Sequence, residues 1–195
     1  MLAGLVIEHA THRPVAKSLR ELVLDPLQLR DAVLQPQEIP RGEPAHGYGP
    51  IEGDSSWNGD PARVVRALRI GGRYSPFPSE ASAEWAAGGM VASAPSVALF
   101  ADALLRGDLL SRDARRQVLR SVGAGEIYDR YGLGVAEVHS PAEPDRWGLF
   151  GEGPGFVSSV WYFPARAITV AVLSSGQGNV SQVTDLLADT ALERR

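Results

Sequence analysis

The 195-residue sequence predicts an α/β protein of the α+β type, in which antiparallel C-terminal strands are packed by helices. Apolar residues first recur at helical spacing, the period changes to alternation from Tyr131, and a helical pattern then returns near the end of the chain. The expected organisation is a single domain. It has a mainly helical region with long loops over residues 1–130, three antiparallel strands over 131–175, and a C-terminal helix over 179–193.

Local signals justify the helices in chain order. An apolar stripe over residues 2–11 predicts the first helix, and Pro14 suits the first turn of a second helix that ends at Asp25-Pro26. Ser93 and Ser111 are N-cap candidates for two later helices, and Asn179 is one for the last. Between them, residues 35–59 and 71–83 have loop composition, whereas the pattern over 61–70 fits either a helix or a strand.

Three strands are expected after the helices. Alternation begins at Tyr131, Leu133 and Val135, and two further strands are expected over residues 156–163 and 167–173. Because only three residues join the last two strands, these strands are expected to be antiparallel neighbours. The third strand is nearly all apolar, which predicts burial on both of its faces.

Composition narrows the function classes. The apolar fraction of 44% can support a core, and the net charge of −4 gives no electrostatic case for nucleic acid or an anionic membrane. The absence of cysteine removes disulfides and thiolate chemistry. No apolar run reaches the ~18 residues of a membrane span, and the N-terminus does not resemble a signal peptide. The compartment stays open, with bacterial cytoplasm and cell envelope both compatible.

A family resemblance rests on several motifs in order. Residues 148–156 read Gly-Leu-Phe-Gly-Glu-Gly-Pro-Gly-Phe and resemble the Gly-His-x-Gly-x-x-Pro-Gly-Phe segment of the serine β-lactamase and DD-peptidase superfamily. Segments 4–11, 25–29, 87–93 and 131–134 resemble further landmarks of its class C type. The resemblance runs from about Leu2 to Leu187 and is to the C-terminal part of that family. It implies a partial β-lactamase/transpeptidase-like fold, similar to penicillin-binding proteins.

The resemblance implies a substrate-binding strand but no catalytic residue. Its third motif lines one edge of the active site, which makes Leu149, Phe150, Gly151, Glu152 and Gly153 the candidate substrate-binding residues. Leu149 takes the position of the family's histidine, and an aliphatic side chain offers neither a proton nor a hydrogen bond. The resemblance implies no cofactor and no metal.

The family's nucleophile motifs are missing. Ser-x-x-Lys is absent because the single lysine, Lys17, has Pro14 three residues before it. Tyr-x-Asn is absent because Asn58 and Asn179 follow Ser56 and Gln177 at that spacing. The expectation is a truncated pseudoenzyme whose chain begins one helix too late to contain these motifs.

Two functional hypotheses follow. The first is the C-terminal portion of a serine hydrolase whose intact relatives cleave amide or ester bonds through an acyl-enzyme, with the portion itself inactive. The alternative is a non-catalytic ligand-binding or interaction module derived from that fold. The expected partner is a small acyl substrate or the missing N-terminal portion, with no nucleic acid and no membrane. Glu152 is interpreted as an acid or base, or else as a solvated loop carboxylate.

Overall fold

The structure, a computed structural model, describes residues 1–41, 44–45, 84–107, 109–123, 128–140, 143–153, 156–176 and 178–193. Contacts between residues divide the chain into two compact units. The first comprises Met1–Ser93, Glu152–Val157 and Ser174–Gly178, and the second comprises Ala94–Gly151, Ser158–Leu173 and Asn179–Arg195. The predictions for residues 46–83, including the one for the segment 61–70, lie outside the described residues.

The first unit begins with two helices that match the predicted ones. Helix α1 spans Leu2–Thr11 and ends at His12, which has the left-handed φ of 52°. Helix α2 spans Val15–Leu19 and continues as a π-helix over Arg20–Leu24. The widened turn is visible where the amide of Asp25 donates to the carbonyl of Arg20 at 2.9 Å, five residues back. Pro14 precedes the helix instead of occupying its first turn.

Two small apolar clusters stabilise the first unit. One joins Val15, Ala16 and Leu34, and the other joins Leu24, Leu29 and Ala32. Strands β1, Val33–Leu34, and β2, Met90–Val91, form a short antiparallel pair beside them. The glycine in α1 is required by close packing, because a Cβ on Gly4 would lie 2.6 Å from the Cβ of Ala86.

Polar side chains form hydrogen bonds with the backbone of the first unit. Arg20 donates to the carbonyl of Ala32 at 2.7 Å and to the carboxylate of Glu38 at 2.8 Å. Glu38 in turn accepts from the amide of Leu34 at 3.0 Å. Glu8 accepts from the amide of Val15 at 2.8 Å and from the side chain of Gln37 at 3.0 Å. These bonds satisfy backbone groups that no helix or sheet satisfies.

A six-stranded sheet has its strands in chain order, β3-β4-β5-β6-β7-β8. The pairs from β3 to β6 are antiparallel, and the short connections that follow make the last two neighbours hairpins as well. The strands are β3 (Val122–Gly123), β4 (Arg130–Tyr131), β5 (Ala136–Ser140), β6 (Glu143–Gly153), β7 (Phe156–Phe163) and β8 (Ile168–Ser174). The α+β class with antiparallel C-terminal strands is thereby confirmed.

The sheet has more strands than the three that the sequence predicted. The predicted strands over 156–163 and 167–173 correspond to β7 and β8, whereas the one beginning at Tyr131 is interrupted. A turn separates β4 from β5 because Gly134 has a φ of 79° and the amide of Gly132 donates to the carbonyl of Val135 at 2.7 Å. The residue pattern did not predict β6, since its glycines and proline are depleted in strands, and only the family resemblance assigned Leu149 to Gly153 to a strand. The single-domain organisation stays a prediction.

Helices of the second unit pack apolar clusters against the sheet. Helix α3, Ala94–Arg106, contributes Ala101 and Leu105 to a cluster with Val135. Helix α4 spans Arg112–Val118. Helix α5, Val180–Glu193, contributes Ala188 to a second cluster. The buried members of that second cluster are Ala136, Trp161, Phe163, Val170 and Ala188.

Two of the predicted helix caps, Ser111 and Asn179, are confirmed, and the one at Ser93 stays a prediction. The amide of Ala114 donates to the Ser111 hydroxyl at 3.2 Å, and the amide of Gln182 donates to the Asn179 side chain at 3.0 Å. Helix α3 ends at Gly107, whose φ of 106° favours glycine. None of the described helices combines the length and the apolar character that crossing a membrane requires.

Strand β8 differs from its prediction. Its nearly all-apolar sequence predicted burial on both faces, but only Val170 is fully buried and Leu173 is exposed. The reason lies in its position, because β8 is the last strand of the sheet among the described residues and has β7 on one side only.

Candidate functional site

The third-motif segment of the sequence lies on β6 and the start of β7. Its first residue, Gly148, pairs with Ala136 of β5 and passes very close to the neighbouring strand on the other side. A Cβ on Gly148 would overlap the carbonyl oxygen of Val160 and lie 2.9 Å from the Cα of Trp161. Only glycine fits at this position, so the segment's glycine has a structural cause that is independent of chemistry.

Leu149 packs into the apolar layer beneath α5. It contacts the cluster formed by Trp161, Phe163 and their neighbours, whereas Trp147, two residues earlier, packs with the cluster beneath α3. Residues two apart on a regular strand share one face, yet these two side chains pack with different clusters. The residue at the position of the family's histidine therefore serves packing in this structure.

Phe150 is exposed, and its backbone is held by a tyrosine. The amide of Phe150 donates to the hydroxyl of Tyr128 at 3.3 Å. The Tyr128 ring lies 5.8 Å from that of Tyr131 and 6.3 Å from that of Trp161, centroid to centroid. The sequence analysis did not single out Tyr128. The available signal was its position three residues before Tyr131, at which the first predicted strand begins.

Gly151 faces Ser158 across the β6–β7 hairpin. The Ser158 hydroxyl donates to the carbonyl of Gly151 at 3.4 Å, and a Cβ on Gly151 would lie 2.6 Å from that hydroxyl oxygen. Leu149, Phe150 and Gly151 are therefore consecutive on one stretch of β6 in the second unit. Their predicted substrate-binding role stays a prediction.

Glu152 and Gly153 belong to the first unit. Glu152 is exposed and forms no ion pair with any residue that the structure describes, and a Cβ on Gly153 would meet open space. Among the described residues, neither Glu152 nor Gly153 shows a close approach like that of Gly148 or a hydrogen bond like that of Gly151. Glu152 is thus exposed near the end of β6, and both interpretations of its role stay predictions.

The most enclosed buried serine lacks the surroundings of a nucleophile among the described residues. Ser18, Ser96 and Ser159 are all buried, and Ser159 is the most enclosed. Its hydroxyl has no hydrogen-bond partner within the described ranges. An attacking serine needs a base within hydrogen-bond reach and an open path to the substrate, and Ser159 has neither among these residues.

The histidines do not form a metal site in the described part of the chain. His9 and His12 are exposed, with their ring centroids 6.3 Å apart. On the exposed β5–β6 hairpin, Nδ1 of His139 lies 2.6 Å from Oδ1 of Asp145. Nowhere in the described ranges do three histidine, aspartate or glutamate side chains gather closely enough to hold a metal ion. His46 lies outside those ranges.

A concavity of about 700 Å³ lies along α4, lined by Arg112, Arg115, Arg116, Leu119 and Arg120. Arg115 donates to the carbonyl of Arg106 at 2.9 Å, and the exposed Arg116 pairs with Asp113 at 3.3 Å. Arg116 is thus a solvated residue on the surface of α4.

Comparisons with known proteins identify the fold. The D-amino acid amidase from Ochrobactrum anthropi SV3, solved with L-phenylalanine, is 20% identical with a TM-score of 0.77, over 100% of this chain and 58% of its own. A D-stereospecific amidohydrolase from Streptomyces sp. is 24% identical with a TM-score of 0.68, over 90% and 48%. The octameric penicillin-binding protein homologue from Pyrococcus abyssi is 20% identical with a TM-score of 0.71, over 98% and 40%.

These structures define the class of fold, that of amidases and penicillin-binding proteins. The sequence model of the Beta-lactamase family matches residues 1–193. The chain belongs to the Beta-lactamase family, as its motifs predicted. It spans about half the length of the solved structures that it matches. No curated protein sequence matches it.

Proposed function

We propose that this chain supplies the substrate-edge strand and the C-terminal sheet of a serine hydrolase, and that its 195 residues alone form no acyl-enzyme. The observation that carries the proposal is the missing nucleophile motif, since the residue three positions before the only lysine is Pro14. A serine hydroxyl is a weak nucleophile until a neighbouring base accepts its proton. This chain offers no serine at that spacing from a lysine.

The surroundings of the lysine support this proposal. Lys17 is largely exposed on α2, and its Nζ lies 4.0 Å from the carboxylate of Glu21, four residues on. A catalytic lysine base is usually desolvated, whereas the Lys17 side chain is 59% exposed. Lys17 therefore serves the helix surface.

The proposed substrate class for the intact hydrolase is an amide or ester. The resemblance implies β-lactams, peptidoglycan peptides or small esters, and the amidases among the matched structures favour an amide bond. Phe150 and Gly151 would then present the backbone of β6 to the acyl group. The proposed partner is this small acyl substrate or the remaining portion of the fold.

A second candidate function is non-catalytic binding. The packing of Leu149 favours it, because the position of the family's histidine is occupied by an apolar side chain that stabilises the sheet. A strand kept for its shape can still bind a ligand without acting on it. In this case, the chain would retain acyl compounds reversibly.

Active-site labelling tests the proposal. The purified chain is incubated with a fluorescent fluorophosphonate and with a fluorescent penicillin, beside an active serine β-lactamase as the positive control. We expect no covalent adduct on the chain by denaturing gel or intact mass. Covalent labelling of any serine, located by peptide mass spectrometry, would contradict the proposal. Saturable, reversible binding of the penicillin in equilibrium dialysis would favour the second candidate function.

A further inference from the structure

A basic surface runs along α4 and the two residues that follow it. Because α4 turns by about 100° per residue, Arg112, Arg115 and Arg116 share one side of the helix. Leu119 continues the helical conformation on that side, and Arg120 follows it directly. These five residues line the concavity of about 700 Å³ along α4, and we call them the arginine concavity. Its lining therefore comes from one short stretch of the chain, residues 112–120.

Two of the lining residues are held by contacts of their own. Leu119 is half-buried and packs with the apolar cluster beneath α3. Arg115 is also half-buried, and its Nη1 donates to the carbonyl of Arg106 at 2.9 Å. A guanidinium group has five N–H donors, so this bond orients Arg115 and leaves donors for a ligand. The concavity is thus partly ordered before any ligand binds.

The positive charge of the concavity is little compensated. The side chains of Arg112 and Arg120 are exposed and form no ion pair with any residue that the structure describes. Arg116 pairs with Asp113 at 3.3 Å, and the two side chains are 80% and 83% exposed. An ion pair so exposed contributes little, so Arg116 can exchange Asp113 for an incoming anion. Four guanidinium groups therefore face one carboxylate.

The chemistry of the lining favours an occupant that carries phosphate. A guanidinium group is a planar fork that binds pairs of phosphate or carboxylate oxygens. A phosphate group carries roughly two negative charges at neutral pH, so two phosphates can balance four guanidinium groups. The volume of about 700 Å³ is that of a site for a small molecule. An uncharged protein segment over this surface would leave the guanidinium groups desolvated and unpaired, which is unfavourable.

We propose that the arginine concavity binds a small soluble compound with two or more phosphate groups. Arg112 and Arg120 bind phosphate oxygens from the two ends of the concavity, and Arg116 leaves Asp113 to bind between them. Leu119 and the aliphatic stems of the arginines contact the rest of the ligand. The inference goes beyond the proposed function and does not depend on any hydrolase activity, because α4 contains none of the candidate substrate-binding residues.

Calorimetric titration with inorganic tripolyphosphate tests the inference, at low salt because salt screens exposed charges. We expect saturable binding to the purified chain. The double variant Arg112→Gln/Arg120→Gln should weaken binding by about 10-fold or more, because it removes two uncompensated guanidinium groups. The matched control, Arg30→Gln/Arg166→Gln, removes two exposed arginines elsewhere and should leave the dissociation constant nearly unchanged. The far-ultraviolet circular dichroism of both variants should equal that of the native chain.

Further measurements test the location and the chemistry of the ligand. In nuclear magnetic resonance spectra, tripolyphosphate should shift the backbone amides of residues 112–120 more than those elsewhere. Citrate, a tricarboxylate, should bind about 10-fold more weakly or worse, since each of its groups carries less charge. Vesicles of phosphatidylglycerol should not sediment the chain.

The absence of tripolyphosphate binding to the native chain would overturn the inference. So would an equal loss of affinity in the two double variants, because binding would then follow net charge alone. Citrate binding as tight as that of tripolyphosphate would exclude the assignment to phosphate. Sedimentation of the chain with the vesicles would make a lipid headgroup, and not a small soluble compound, the source of the phosphate.

Discussion

The two units are stabilised by different kinds of interaction. In the first, small apolar clusters are fastened by side chains that bind backbone groups, with Arg20 and Glu8 at the centre of these bonds. In the second, a sheet is packed by helices over larger apolar clusters that contain Trp161 and Phe163. The difference shows that the stability of local loops depends on directed hydrogen bonds to their backbone. A sheet instead joins segments that are distant in sequence, through burial of their apolar side chains.

The largest effect is expected in the second unit. Phe163→Ala removes a ring that is 2% exposed and should reduce the free energy of unfolding by about 3–5 kcal/mol, because a cavity remains where the ring packed. Chemical denaturation measures it. Val122→Ala, at an exposed position on β3, is the control and should change stability by less than about 0.5 kcal/mol. Equal losses for the two variants would contradict burial as the main stabilising term of this unit.

A smaller effect is expected from the polar bonds of the first unit. Arg20→Met keeps much of the side-chain volume but leaves the carbonyl of Ala32 and the carboxylate of Glu38 without their donor. We expect a loss of about 2–3 kcal/mol, measured by denaturation. The matched control is Arg13→Met, whose exposed pair with Glu21 at 2.7 Å should contribute less than about 1 kcal/mol. If Arg13→Met lowers the free energy of unfolding as much as Arg20→Met does, the hydrogen bond of Arg20 to the backbone is not what stabilises the unit.

The smallest expected effect is a pH dependence of the folding stability, which arises from the Glu8 carboxyl. The hydrogen bond from Gln37, and next the one from the amide of Val15, hold the pKa of the Glu8 carboxyl below its ordinary value of 4.5. A lowered folded-state pKa stabilises the fold at pH values above 4.5, and this contribution is lost as the pH falls through the folded-state pKa.

Thermal melts of the native chain and Glu8→Gln measure this effect. The native chain should be the more stable at pH 7, and the difference should narrow below pH 4.5. Gln37→Met, which removes the first donor, should show the same narrowing to a lesser extent. A difference in melting temperature that stays constant from pH 7 to pH 3 would exclude the carboxylate as its source.

Locally encoded features were predictable from the sequence. The start of helix α5 was predictable because the Asn179 side chain can accept from the amide of Gln182, three residues on. Helix α1 was predictable from the helical spacing of its apolar residues. The residue pattern gave no sign of strand β6 because its residues have poor strand propensity, and the neighbouring strands supply the pairing that overrides it. Only the family resemblance indicated a strand at Leu149 to Gly153. The family and the α+β class were predictable because several motifs agreed in order.

The surroundings of the third motif were only partly predictable. The sequence located the segment, but the close approach of Gly148 to Val160 joins residues that are twelve positions apart and meet only across the sheet. The cluster against which Leu149 packs is likewise built from residues distant in sequence. The bond from the Phe150 amide to Tyr128 likewise joins residues that no short pattern links. Neither contact leaves a signal in the neighbouring sequence.

Gly148 and Leu149 are subject to unequal constraints during divergence. At position 148 the adjacent backbone excludes every side chain, so any sequence that still folds this way must keep glycine there. At position 149 folding requires only an apolar group of suitable size, and selection for a stable sheet is indifferent to the chemistry of a histidine. In a lineage in which catalysis is no longer selected, the histidine position of this motif should therefore change before its glycine does. The glycine would then persist in sequences that no longer catalyse the reaction.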